Sequence, residues 1–260
     1  MSASVPLPAS ALVTGAPERA STVTDRKAAR HERVRAELWT SRGTTKVIGE
    51  VDVGRADLRG SVAVGGSLRA ERVTAYGWLE VVGAVEVRAL LGVDGELRAG
   101  STVRAGEGIV RGSLRSAGAL LVDAGLRVVG AVRCPSIAAV TLTLEGDLEI
   151  PGMLRASIVS LALRDGSRLG SVAGATVRVR ARAPGGVASL LGRPPTVEIG
   201  RIEADHVEIE GVDVGFVHAN EVVLGPGAHV TTLEGRVVRQ HRSSRVGPES
   251  RTAPPPGLSR

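Results

Sequence analysis

The sequence predicts an all-β fold: a single-stranded parallel β-helix of triangular coils, about 17 residues each, flanked by disordered basic termini. Three observations carry this. A five-residue phrase led by glycine returns as GTTKV at Gly43, GSVAV at Gly60, GWLEV at Gly77, GELRA at Gly95, GSLRS at Gly112, GAVRC at Gly130 and GDLEI at Gly146, at intervals of 16 to 18 residues. Between these phrases, runs such as Glu50-Val51-Asp52-Val53 and Leu79-Glu80-Val81 alternate apolar with polar, the pattern of a half-buried strand. Finally, Trp39, Tyr76, Trp78 and Phe216 are the only rings in 260 residues. Helical bundles and mixed α/β enzymes bury much of their area as rings, whereas stacked thin β layers close with Val, Ile and Leu.

Residues 1–42 read as a tail. The first 23 are rich in Ala, Ser, Pro and Val, and the charged Asp25–Leu38 stretch is expected to form at most a short helix with Val34 and Leu38 on one side. The β-helix domain is expected over 43–238, with regular coils over 43–182. Each coil has three short strands with glycine at the corners, and each covers the open face of its neighbours. Inward positions are Val62, Val64, Leu79, Val81, Leu97, Leu114, Val132, Leu148 and Ile150. Residues 183–195 break the repeat as a Pro/Gly loop, alternation resumes over 196–238, and 239–260, with Pro254-Pro255-Pro256, reads as a second tail. A β-sandwich predicts strands at irregular spacings of roughly 8–12 residues, not a glycine-led phrase repeated in step.

The net charge of +6 is unevenly distributed. Residues 1–42 hold seven basic and four acidic side chains, 236–260 hold six and one, and 43–235 hold 20 and 22. Within the last span, 196–235 carries eight acids against Arg201 alone, just after the basic stretch Arg178, Arg180, Arg182. Nucleic acid needs a continuous basic face, which this balance argues against. No stretch reaches the roughly 20 apolar residues of a membrane span. Ala11-Leu12-Val13 is too short for a secretory signal, so a cytoplasmic location is expected.

No cofactor, metal or catalytic constellation emerges. Hexapeptide acyltransferases, the enzymes nearest in repeat style, need an in-coil histidine base, and His31, His206, His218, His229 and His241 all lie outside 43–165. His206, His218 and His229, with Asp205 adjoining, read as surface residues on separate strands in the absence of a suitable Ser or Cys. Cys134 reads as a small buried hydrophobe. GEGIVRG at 106–112 lacks the Lys-Ser/Thr of a phosphate-binding loop. A scaffold remains. A β-helix has two open ends with unpaired strand edges, and end coils marked by Val47, Ile48, Val51 and Val53 at one end and Val222, Leu224 and Val230 at the other would stack one copy on the next.

The coil series from Gly43 to Gly152, followed by basic Val177–Arg182 and by residues 196–235, with an acidic strand, an apolar strand, the Gly225-Pro226-Gly227 turn and a strand ending in an acid, resembles the bactofilins, bacterial polymer-forming cytoskeletal proteins, in their longer subgroup. Ala219-Asn220, Ala228 and Gly235 depart from the family pattern. The resemblance implies a right-handed β-helix that assembles without nucleotide into nonpolar filaments. It also implies partners among cell-envelope, cell-wall or motility proteins, often at the inner face of the membrane, with the basic ends available for peripheral contact. The alternative is an adaptor in which Glu203, Asp205, Glu208 and Glu210 dock on Arg178, Arg180 and Arg182 of another copy or partner. An acyltransferase using His206 or His218 is the remaining enzymatic alternative.

Overall fold

A computed structural model describes residues 20–26, 28–182, 197–248 and 251–252. Alternation over short runs is realised as eighteen strands and no helix among the described residues. They are β1 (Ala20–Asp25), β2 (Ala29–His31), β3 (Val34–Val47), β4 (Val51–Val64), β5 (Leu68–Val81), β6 (Val85–Ala99), β7 (Val103–Ser116), β8 (Leu120–Val122) and β9 (Gly125–Arg133). They continue as β10 (Ile137–Ala138), β11 (Thr141–Arg155), β12 (Ile158–Leu163), β13 (Arg168–Ala181), β14 (Glu198–Glu210), β15 (Asp213–Leu224), β16 (His229–Gln240), β17 (Arg245–Val246) and β18 (Arg251–Thr252). Every pairing is parallel, and each long strand pairs with the corresponding strand one coil on. The chain is a parallel β-solenoid.

Register makes the core a set of vertical ladders. In one, Val34, Val51, Leu68, Val85, Val103, Leu120, Ile137, Leu154, Val172, Ile202, Val217 and Leu233 stack in turn, and all are at most 2% exposed. At about 4.8 Å per coil, these twelve rungs span roughly 53 Å. The nine inward positions expected from alternation are all buried. A second ladder carries Trp39 above Ala56, and Gly108 between Leu91 and Leu126. Large and small residues thus offset each other coil by coil, as close packing requires.

The seven phrase glycines form one corner. Gly43, Gly60, Gly77, Gly95, Gly112, Gly130 and Gly146 pair in sequence, each with φ between 108° and 141°. A side chain at any of the upper six would overlap the carbonyl of the glycine below. The recurring phrase therefore reports a backbone requirement of the coil.

The solenoid begins earlier than the glycine phrases indicate. Residues 20–47 form β1, β2 and β3, where a tail and a short helix over Asp25–Leu38 are expected. Val34 and Ala36 point inward while Arg35 and Glu37 point out. That two-residue period fits the ladder, and pairing with β4 overrides the helical composition of the segment. The other end also runs on past 238: β16 reaches Gln240, and β17 and β18 pair with it. The expected 183–195 loop, and the tails at 1–19 and 253–260, lie outside the described residues.

Candidate functional site

The residues expected at the rod ends are not at the ends. Val47, Val51 and Val53 are buried beneath a further coil, with His31 stacked on Val47 and Val34 on Val51. Of that set only Ile48 is exposed, on an outer corner. Val222, Leu224 and Val230 are likewise covered, by Val237, Gln240 and Val246.

The first coil is instead polar along one inward ladder. Asp25 stacks on Ser41 in a ladder that is apolar from Leu58 through Leu224. Its buried carboxylate accepts the Trp39 Nε1–H at 3.1 Å and meets His31 Nε2 at 2.9 Å. Ser41 and Thr45, both buried, share a hydroxyl hydrogen bond of 2.7 Å. The same ladder ends at the opposite pole in exposed Gln240. Polar side chains on the axis of a terminal coil satisfy one another without an apolar cover, a feature that sequence reading missed because Asp25 and His31 resemble ordinary surface residues.

The expected charge contacts form within the chain. β13 and β14 lie side by side in register, Arg178 opposite Glu208 and Arg180 opposite Glu210. Arg178 Nε lies 3.4 Å from Glu208, and Arg180 reaches Glu208 at 3.1 Å and Glu210 at 3.6 Å. Arg182 pairs with Glu145, Glu203 with Arg201, and Asp205 accepts from Asn220 Nδ2 at 3.0 Å. These pairs are solvent-exposed, each contributing about 0.2–1 kcal/mol, so their value lies in fixing the register of the acidic coils. His206, His218 and His229 sit on three successive strands, each against the carboxylate of an adjacent coil: Glu221 at 3.0 Å, Glu234 at 3.3 Å and Asp213 at 3.6 Å.

No group of three His, Cys, Asp or Glu side chains among the described residues is placed to hold a metal ion. One surface groove is lined by charged side chains, among them Glu71, Arg88 and the pair Arg69–Glu86 at 3.1 Å. Tyr76, Trp78 and Phe216 are each covered by an arginine, Arg59, Arg98 and Arg201 respectively. Cys134 is buried, and loss of solvation pushes its thiol up to about 12, outweighing the opposing hydrogen bond from the Ser136 backbone. A raised value keeps the protonated form dominant at neutral pH. A thiol-reactive dye at pH 8 is therefore expected to leave native protein unlabelled and to label it stoichiometrically in denaturant; rapid native labelling would contradict this placement. No protein-family model, curated protein or solved structure matches the chain.

Proposed function

We propose that the chain is a non-enzymatic scaffold that self-assembles end to end, without nucleotide, in the manner of the bactofilins it resembles, and positions envelope, cell-wall or motility proteins in the cytoplasm. The observation that carries this reading is the ladder of rungs that ends in strands paired on one side among the described residues: there β1 and β2 pair with β3, and β17 and β18 with β16. Such edges are templates for another chain. The intrachain partners of Arg178 and Arg180 account for those arginines without a second molecule, so the adaptor alternative has no separate observation in its favour.

The ends also set the conditions of assembly. Residues 20–33 carry four basic against two acidic side chains, and 236–248 carry four basic and no acidic ones. Cationic ends repel at low ionic strength, and salt shortens the Debye length from about 20 Å at 25 mM to about 6 Å at 300 mM. Negative-stain images and sedimentation of the full chain are expected to show rods lengthening as salt rises across that range. Single particles of one rod length at every salt and protein concentration would refute end-to-end assembly.

A further inference from the structure

We infer that one side of the rod is a self-complementary charged surface that pairs two copies laterally, antiparallel, about a two-fold axis between Glu149 and Arg168. This goes beyond end-to-end stacking and does not depend on it.

The surface is a single outward column in which each residue is the register partner of the next: Glu80, Arg98, Arg115, Arg133, Glu149, Arg168, and on through Glu198, Asp213, His229 and Arg245. Two features of it are unusual. Three arginines stack directly on consecutive coils, and two acids do so further along. Like charges directly opposite on neighbouring strands are destabilising. Elsewhere among the described residues the register stacks like charges two at a time, as Arg42 on Arg59 and Arg55 on Arg72, and one column alternates through Arg35, Asp52, Arg69, Glu86 and Arg104. Arg115, in the middle of the basic run, makes no ion pair among the described residues, while Arg98 and Arg133 hold Glu96 at 2.7 Å and Glu149 at 3.2 Å.

The order of signs explains the anomaly. When a second copy faces the first with its axis reversed, a two-fold in the contact plane lays this column on itself end for end. With the axis between Glu149 and Arg168, Glu149 faces Arg168, Arg133 faces Glu198, Arg115 faces Asp213, and Glu80 faces Arg245. The remaining pair is Arg98 with His229. Each match occurs twice, as an isologous contact requires. Shifting the axis by half a coil toward Arg133 places Glu149 on Glu149 and Arg133 on Arg168, so the sign pattern selects one stagger.

Shape agrees with charge. The next outward position along the rod carries no charge from Val82 to Gly247. Gly100 stacks on Val82, Gly170 on Pro151, Gly200 on Gly170, and Gly215 on Gly200. Two shallow depressions flank the column on either side of the axis. One is lined by Arg98, Arg115, Arg133 and Glu149, the other by Arg168, Glu198 and Asp213. The two-fold brings the basic depression over the acidic one. Ten coils at about 4.8 Å and a face five residues wide give a strip of roughly 700 Å² per copy, close to the roughly 800 Å² per partner of a stable interface.

The test uses the full chain and sedimentation equilibrium at low salt. The wild type is expected to form a dimer that dissociates as salt rises, the reverse of the end-to-end trend. Arg115→Glu and Asp213→Arg are each expected to weaken the dimer about tenfold or more, since one reversal alters two symmetric contacts. Arg115→Glu places an acid between Arg98 and Arg133 of its own chain, so unchanged or raised thermal stability separates lost assembly from lost folding. An equimolar mixture of the two variants is expected to restore a heterodimer, because both Arg115/Asp213 contacts regain opposite charges. Variants that dimerise like the wild type, or a mixture that stays monomeric, would overturn the inference. Rods that lengthen with salt and ignore Arg115→Glu would overturn it while leaving end-to-end assembly standing.

Discussion

Gly130→Ala is expected to prevent the central coils from closing, or to cost about 4 kcal/mol or more, lowering Tm by on the order of 10 °C. Gly130 has φ of 141°, a conformation that costs an ordinary residue about 1–3 kcal/mol. The steric term is larger. A Cβ here would lie 1.7 Å from the Gly112 carbonyl oxygen and 2.7 Å from its carbon, both backbone atoms of the coil below. No rotamer change relieves that overlap. The coils must separate locally, which breaks ladder hydrogen bonds and opens the apolar ladders of both. Gly125→Ala is the matched control: it lies on the same coil, yet nothing is within 4 Å of its added Cβ, and its effect should stay within about 0.5 kcal/mol. Thermal unfolding followed by circular dichroism compares the two. Equal effects would show that the corner column does not govern coil closure.

The same geometry explains what the sequence disclosed. From Gly43 to Gly146 each coil repeats a position that only glycine tolerates, and the inward residues follow at fixed offsets, so Val62, Leu79, Leu97 and Leu114 could be placed without coordinates. The first coil carries no such phrase. Its inward positions are Val23, Asp25, Ala29 and His31, and the polar Asp25 and His31 break the alternation by which strands are recognised. The surrounding Ala, Arg and Glu have helical propensity, which loses here to the register imposed by β3 and β4. This is why the ends were placed one coil too far inward, at Val47, Ile48, Val51 and Val53.

Charge was legible as composition and illegible as arrangement. The basic Arg178–Arg182 run and the acids after it are visibly complementary in sequence, but the length of chain between them conceals that β13 and β14 are neighbouring coils. The opposition therefore reads as one between molecules. The column through Arg115 and Asp213 is harder still. Its successive members are 15 to 30 residues apart, with the widest step from Arg168 to Glu198 and the narrowest from Glu198 to Asp213. No fixed period gathers them; only the register does.

Trp39→Ala is expected to be the most damaging side-chain truncation at the ends of the rod, and its damage should be local. Trp39 is fully buried between Val23 and Ala56 and is the only aromatic ring in the core. Removing such a side chain costs about 3–5 kcal/mol. Asp25 would also lose its indole donor, leaving His31 as its remaining side-chain partner. In a compact domain that loss lowers global stability. In a solenoid each coil contacts only its neighbours, so the opening is expected to stop within the first coils. Amide hydrogen exchange should show protection lost over 20–50 and kept over 60–230. Trp39→Phe retains most of the packing and removes the donor, and an intermediate cost of about 1–3 kcal/mol is expected. Fraying of β1 and β2 would uncover Ala36 and Val47, replacing a polar cap with an apolar edge. Trp39→Ala protein should therefore self-associate more readily than the wild type at the same salt. Global loss of protection, or unchanged association despite local opening, would show that the Asp25–His31–Trp39 network neither confines unfolding nor guards the end of the rod.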